Sequence, residues 1–345
     1  MTWDEIDWAA LDRLREGFLS GSAANGPYWR SRSDLASYDF TYGERIGWKW
    51  DAVLRELRLR RWMPPPGLLV DWGCGSGIAG RRALSTWGVD AFTGLRVWDH
   101  SPHACEFATQ AAREAHPELK AAVYADDEPI GLLVLSHVLN ELSPAAKVAL
   151  GSVIERAAAV IWIEPGTSVV SRDLIGWRES LRLTHRIIAP CTHAAQCGLL
   201  AAGRERDWCH HFAPAPPGVY ADSHWVRFGQ RAGIDLRSLP YAHLVLAKNR
   251  TPLTSPELPT DAARIIGRPE HFKPYARVLS CDASGVNELT IPRRTCGALY
   301  KQLDRTKAPL IYQWQRSGLS VEGATALGEE FLHGRDDRAE RRSPD

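Results

Sequence analysis

Residues 68–77 read Leu-Leu-Val-Asp-Trp-Gly-Cys-Gly-Ser-Gly, a short apolar run that ends in an acid and turns at once through three glycines. Few folds accommodate such a string. Glycine tolerates the left-handed backbone that a tight turn needs, and it lets the main chain approach a ligand where a Cβ would collide. A helix-like segment continues to about Trp87, so its N-terminus points into the same space. Further apolar runs at 92–98, 121–124, 131–136 and 159–163 alternate with helical segments. One of these spans 102–115, and another is opened by Ser143 as N-cap and Pro144 in the first turn. Near-continuous apolar strands alternating with helices predict an α/β fold with a parallel sheet covered on both faces. Such sheets take ligands at the carboxyl ends of their strands.

Outside that pattern the chain reads differently. Residues 2–19 predict an amphipathic helix started by the Thr2/Glu5 capping box, and 43–62 predict a second, with Ile46, Trp50, Leu54 and Leu57 on one face and Pro64-Pro65-Pro66 as its stop. From about 186 to 300 the alternation is lost and Cys, His, Pro and Arg become frequent. This predicts an irregular, metal-stapled module with further strands at 226–228 and 244–247. The polar end, 333–345, is expected to be disordered. Four regions follow: 1–63, N-terminal helices; 64–185, the cofactor-binding Rossmann-like domain; 186–305, the Cys-rich module; and 306–345, a C-terminal extension.

Charge refines this division. The formal net charge is only +1, yet residues 186–320 hold 18 Lys and Arg against 10 Asp and Glu, while the remainder holds 24 against 31. A basic later half suits a protein that faces phosphate there, although a solvated surface gives the same counts. No run of about 18 uncharged apolar residues occurs, so no membrane span is expected. The acidic start MTWDEIDW has no signal-peptide character, which makes a cytoplasmic protein the expectation. Seven cysteines without an export signal argue against a disulfide framework and leave metal ligation or buried thiols.

Gly75-x-Gly77-x-x-Gly80 matches the dinucleotide fingerprint, but the fuller string Asp-x-Gly-x-Gly-x-Gly resembles motif I of the class I S-adenosylmethionine (SAM)-dependent methyltransferases. The resemblance implies that Asp71, Gly73, Gly75 and Gly77 surround the methionine part of SAM. It also implies that Asp99, after the second strand, binds the ribose hydroxyls, a task suited to a carboxylate that accepts two hydrogen bonds. Asp126, in the Asp126-Asp127 pair after the third strand, stands where this fold contacts adenine; an exposed turn is the plain alternative. Ser136 and His137 follow the fourth strand, where the methyl group would emerge, and His137, Asn140 and Glu141 are the catalytic candidates. No Asn-Pro-Pro-aromatic tetrapeptide is present and no cysteine lies in this stretch. The familiar routes to methylated exocyclic amines and to 5-methylpyrimidines are therefore not supported.

Cys191, Cys197 and Cys209 lie close together in a polar stretch, and thiolates so placed can share one soft metal centre. Cys281 and Cys296 are candidates for a fourth ligand, and His193, His210 or His211 would substitute in a zinc site. Cys74 and Cys105 read as packing residues. Several motifs then occur in order: His-Val-Leu-Asn-Glu-Leu at 137–142, Ile-Glu-Pro-Gly-Thr at 163–167, Arg178 with Leu181, Ala-Pro-Cys-x-His-x3-Cys, Asp-Trp-Cys-His, Tyr241 in its apolar strand, and Ile266-Gly267-Arg268-Pro269 followed by Arg277, Cys281 and Gly285. Over roughly 40–305 this series closely resembles the Rsm22-like family, which includes mitochondrial small-subunit assembly factors and their bacterial homologues. Thr192 and Gly198 depart from it, since proline often follows the first two cysteines there. The resemblance implies a [4Fe–4S] cluster on Cys191, Cys197, Cys209 and Cys281, with zinc as the alternative and Cys296 as a spare. It further implies a SAM-dependent methyltransferase acting on small-subunit ribosomal RNA or pre-ribosomal particles, with no DNA and no membrane as partner. A non-catalytic small-subunit assembly factor that binds SAM and RNA is the main alternative, and a small-molecule methyltransferase the weaker one.

Overall fold

The structure, a computed structural model, describes residues 1–21, 28–125, 128–303 and 310–327. The Thr2/Glu5 capping box forms, but it opens only a 3-10 turn over Trp3–Glu5. Asp7 then accepts a hydrogen bond from the Ala10 amide at 2.9 Å and starts a separate helix, α1 (Trp8–Ser20). The single helix expected over 2–19 is thus broken by a second N-cap. Helix α2 (Arg32–Tyr38) runs through a π-helical turn (Asp39–Gly43) into α3 (Glu44–Leu59), whose buried face carries Ile46, Trp50, Val53, Leu54 and Leu57.

The five apolar runs become strands β1 (Leu68–Trp72), β2 (Gly94–Trp98), β3 (Ala121–Val123), β4 (Ile130–Ser136) and β5 (Ala157–Pro165). They pair in parallel in the order β3-β2-β1-β4-β5. Helices α4 (Ile78–Trp87), α5 (Pro102–Ala115), α6 (Pro144–Arg156) and α7 (Ser168–Leu181) make the crossovers. Alternate residues of each strand face opposite sides. Leu69, Leu95, Leu132, Val134 and Ile161 pack with α3, α4 and α5, whereas Leu68, Val70, Leu133, Leu135 and Trp162 pack with α6 and α7. The chain order reverses between β1 and β4, which opens a crevice at their carboxyl ends.

The stretch expected to be irregular, 186–300, is loop-rich only to about 239 and is mostly strand beyond it. β6 (His185–Ala189) and β8 (Pro240–Lys248) extend the sheet, with β8 antiparallel between β5 and β6, and the short β7 (His211–Phe212) also pairs with β8. The apolar residues at 226–228 lie in a helix, α8 (Ser223–Ala232), which buries Phe228 and Ala232 one turn apart. The remaining strands, β9 (Ala262–His271), β10 (Tyr275–Asp282), β11 (Gly285–Pro292), β12 (Ile311–Ser317) and β13 (Ser320–Ala326), close into a barrel in the order β10-β11-β13-β12-β9. A short helix, α9 (Gly297–Gln302), lies between β11 and β12, and Cys296 and Leu303 at its ends enter the barrel core with Ile265, Val278, Leu289 and Tyr312. Residues 333–345 lie outside the described residues. Among the described residues no helix is long and apolar enough to cross a membrane.

Candidate functional site

A cavity of about 650 Å³ opens at the carboxyl ends of β1, β2 and β4, within the size range of small-molecule sites. The glycine turn forms one wall. Gly73 sits at φ +69°, and a Cβ there would lie 2.6 Å from Val138 Cγ1, so only glycine fits. The Gly73 and Cys74 amides donate to the Trp98 carbonyl at 2.7 and 3.0 Å, tying the turn to the end of β2. Gly75, Asp99, Ser136, His137, Asn140 and Glu141 also line the cavity. Asp99 accepts the Gly75 amide (3.0 Å) and the Ser101 amide (2.9 Å). Burial raises its pKa, against the pull of those two bonds.

Asp71 and Gly77, expected beside a cofactor, do not line the cavity. Asp71 is fully buried, and its carboxylate accepts the Gly80 amide in the first turn of α4 at 2.8 Å. It thereby fixes the angle between turn and helix. Gly77 faces α5, where a Cβ would lie 2.7 Å from that of Ala108. Asp126 lies outside the described residues.

The far wall comes from the N-terminal helices and was not foreseen. Tyr28, Trp29, Tyr38, Arg45 and Lys49 all line the cavity. Lys49 Nζ lies 3.3 Å from His137 Nε2. Burial, with Arg45 adding to it, lowers the Lys49 pKa to about 7, and burial with the two nearby cations holds His137 well below its ordinary value. His137 is therefore a neutral imidazole, held at φ +58°. Burial pushes Glu141 up to about 8, opposed by the Tyr28 hydroxyl that donates to its Oε2 at 3.0 Å. Behind this group, Glu164 accepts three hydrogen bonds on Oε1, from the Val138 and Leu139 amides and Trp162 Nε1. It braces the loop that follows β4. A lysine between Trp48 and Trp50, one turn after Arg45, is a sequence sign that α3 faces something polar.

On the other side of the sheet, Cys191, Cys197 and Cys209 follow β6 and approach Cys281 on β10. Ionisation of Cys281 is opposed first by burial and then by Cys191, Cys209 and Cys197. Burial, then Cys191 and Cys197, raises Cys209 in the same way. Arg178 of α7 is buried and braces the group: its Nε lies 3.3 Å from Cys191 Sγ, and it donates to the His193 and Ala195 carbonyls. Glu179 accepts the Cys197 amide at 3.0 Å. Among the described residues, no three or more His, Cys, Asp or Glu side chains are gathered closely enough to hold a metal ion, so neither the expected metal-stapled module nor its zinc alternative has a preformed coordination shell. Cys296 is in the barrel core, and Cys74 and Cys105 are buried beside the glycine turn.

The family model described as mitochondrial small ribosomal subunit Rsm22 matches residues 49–307, well over half of the chain. The chain belongs to the Rsm22 family. The match begins at Lys49, takes in the glycine turn and all four cysteines, and stops before β12 and β13. No curated protein matches the chain. Among solved structures, it is similar to magnesium protoporphyrin IX methyltransferase from Synechocystis PCC 6803 with bound SAH, at 14% identity over 71% of this chain and 97% of that one, with a TM-score of 0.33. It is also similar to the plantazolicin methyltransferase BpumL with a triazolic analog and SAH, at 14% identity over 72% and 100% of the two chains, with a TM-score of 0.38. A third is M. capricolum TrmK with S-adenosyl-homocysteine, at 9% identity over 57% and 69%, with a TM-score of 0.31. Part of the cavity wall, Tyr28 to Arg45, precedes the Rsm22 match, and Lys49 lies at its start.

Proposed function

We propose that this Rsm22-family protein is a SAM-dependent methyltransferase acting on small-subunit ribosomal RNA or pre-ribosomal particles, with a [4Fe–4S] cluster on Cys191, Cys197, Cys209 and Cys281. The observation that carries the first part is the cavity at the β1/β4 crevice. Its glycine wall exposes main chain to a ligand, Asp99 stands at the end of β2 to accept a diol, and Ser136 to Glu141 frame the exit. Gly73, Gly75, Asp99, Ser136 and His137 would hold SAM, which supplies the methyl group when bound. Asp71 and Gly77 support that wall from behind. Glu141, with a pKa near neutrality and a place in the cavity wall, is the residue best suited to take or give a proton there. Neutral His137 is fixed by Lys49 and serves to orient rather than to carry charge. The basic later half of the chain supports an RNA partner.

For the cluster, the support is chemical. Buried Cys197 and half-buried Cys191, Cys209 and Cys281 share one region, where the other thiols oppose ionisation of Cys209 and Cys281, and iron would supply the positive charge that such a set of thiolates requires. The cluster would serve as a tie between sheet and barrel, in a role of structure rather than of redox chemistry.

The deciding experiment uses protein purified without oxygen. Iron, sulfide and zinc are measured, SAM binding is followed by calorimetry, and tritium transfer from labelled SAM to small-subunit particles and rRNA is scored. Transfer establishes the enzyme. SAM binding and full iron without transfer to any assembly intermediate would replace it by the non-catalytic assembly factor. Zinc without sulfide would overturn the cluster.

A further inference from the structure

The barrel has features that neither the cavity nor the cysteines use. Numbered within the barrel, its five strands close in the order 1-2-3-5-4-1. The contact between the third and fifth strands is parallel, Thr290 opposite Ser320, and the helix α9 plugs the core between the third and fourth. This is the arrangement of oligonucleotide- and oligosaccharide-binding barrels, which take their ligands on the face of strands two and three and on the adjoining loops. Fold alone does not assign a ligand, so the chemistry of that face decides.

One half of the face is already covered. Leu279 and Cys281 of β10 pack under the cysteine loop, and Gly198 approaches so closely that a Cβ there would lie 2.8 Å from Gly285 Cα. The other half, with the loop between β9 and β10, is open. Phe272 is 39% exposed, a large figure for a phenylalanine. Its ring lies 4.9 Å from that of Tyr275, and Tyr300 of α9 donates to the Phe272 carbonyl at 3.0 Å. Arginines lie against these rings: Arg277 is 5.4 Å from the Phe272 centroid, and Arg293 is 5.5 Å from that of Tyr300. The Arg293 amide bonds to the Pro274 carbonyl at 2.9 Å, which brings the segment after β11 to the same end of the barrel. Glu270 and Glu288 take Arg277 into ion pairs. Among the described residues, no ion pair occupies the exposed Lys273, Arg293 or Arg294.

We propose that this end of the barrel, built on Phe272, Tyr275, Lys273, Arg293 and Arg294, is a binding site for single-stranded RNA. The proposal rests on the reading of the protein as one that acts on RNA. An exposed ring offers its face to an unpaired base, and every base has such a face. The unpaired cations beside it track the phosphates. A base paired in a duplex cannot reach the ring, so the site selects unpaired strand. The site would hold a strand on the barrel while the cavity, on the other domain, receives the methylated residue.

The test is fluorescence anisotropy on the full, cluster-loaded chain, with a short oligouridylate and an RNA duplex of the same length, at two salt concentrations. Phe272→Ala is expected to weaken the oligouridylate roughly tenfold, and Arg293→Ala with Arg294→Ala to lower the salt slope by about 1.4. The melting temperature and SAM affinity should not change, because all three side chains are exposed and outside the cavity. Oligouridylate binding that neither variant alters would overturn the site and leave the methyltransferase reading standing. Equal weakening of duplex and single strand would also overturn it, by showing an unselective charged surface. No oligouridylate binding by the unsubstituted protein would overturn both the site and the RNA reading. Variant-sensitive binding with no methyl transfer from SAM would keep the site and sink the enzyme.

Discussion

Glu141 shows how much the cavity asks of single residues. It faces the cavity, the Tyr28 hydroxyl donates to it, and burial nevertheless lifts its pKa to about 8. A carboxyl raised in the folded state binds its proton more tightly there than in the unfolded chain. Its contribution to stability is therefore full below the ordinary carboxylate range and is lost as pH rises through about 8. Asp71 and Glu164, both raised to about 7 by burial, act in the same direction. Lys49, lowered to about 7, acts in the opposite sense: its contribution is full above the ordinary lysine range and is lost as pH falls through about 7. The part that belongs to Glu141 is isolated by Glu141→Gln, which keeps the shape and cannot ionise. The variant should lose stability less steeply than the natural protein between about pH 5 and 8, by at most about 1.4 kcal/mol per pH unit. Denaturant midpoints measured across that range would show it, and parallel curves for the two proteins would mean that Glu141 is charged throughout.

Among the elements, α3 does the most to join the parts. Its first half presents Arg45 and Lys49 to the cavity, and in its last turn Glu56 bridges to Arg264 on β9. Arg264 is 2% exposed on its side chain. Burial opposes the ionisation of Glu56, but Arg264, His243 and Arg60 outweigh it and hold its pKa at about 2. Removing one partner of such a pair strands the other charge. Glu56→Ala should cost about 3–5 kcal/mol in chemical denaturation, whereas replacing Glu56 and Arg264 together by methionine should cost much less. Equal losses would show that packing and not charge is at stake. The sequence revealed α3 and the strands β1 to β5 because fully buried parallel strands are near-continuous apolar runs bounded by breakers. It concealed the barrel because a small barrel buries only alternate residues. β10 reads Tyr-Ala-Arg-Val-Leu-Ser-Cys-Asp, and its buried Ala276, Val278 and Ser280 give no apolar run. Val226 to Phe228 suggested a strand, and only the packing of Phe228 and Ala232, with Trp225, on α1 and the π-helical turn shows the helical spacing. In the site, the glycine turn and Asp99 were legible as a motif. Tyr28, Lys49 and Glu164 were not, since nothing in one sequence brings residues so distant to one wall.

For the whole molecule, the question is what keeps the barrel on the sheet. Contacts that cross between them include the Glu56–Arg264 pair, the Gly267 amide on the His210 carbonyl at 2.8 Å, the Arg204 guanidinium on the Val286 carbonyl at 2.7 Å, the Thr192 hydroxyl on the Ala262 carbonyl at 2.6 Å, and the close approach of Gly198 to Gly285. Most of these lie in or beside the loop that carries Cys191, Cys197 and Cys209, and the barrel answers with Cys281. The proposed cluster would therefore sit at the junction itself, beside the apolar contact of Ile175, Cys197 and Leu199 with Ile266 and Val286, and would add a bond to each side. Cys281→Ser removes the barrel's only thiolate from the set while leaving its place on β10 and the cavity untouched. The variant should lose iron and the single cooperative unfolding transition together, giving way in calorimetry to two transitions, with the barrel melting first. Its SAM affinity should stay within about twofold, because a contact outside the cavity, with no shared partners, adds independently. A variant that loses its iron yet unfolds in one unshifted transition would show that the polypeptide contacts suffice and that the cluster serves some purpose other than the tie.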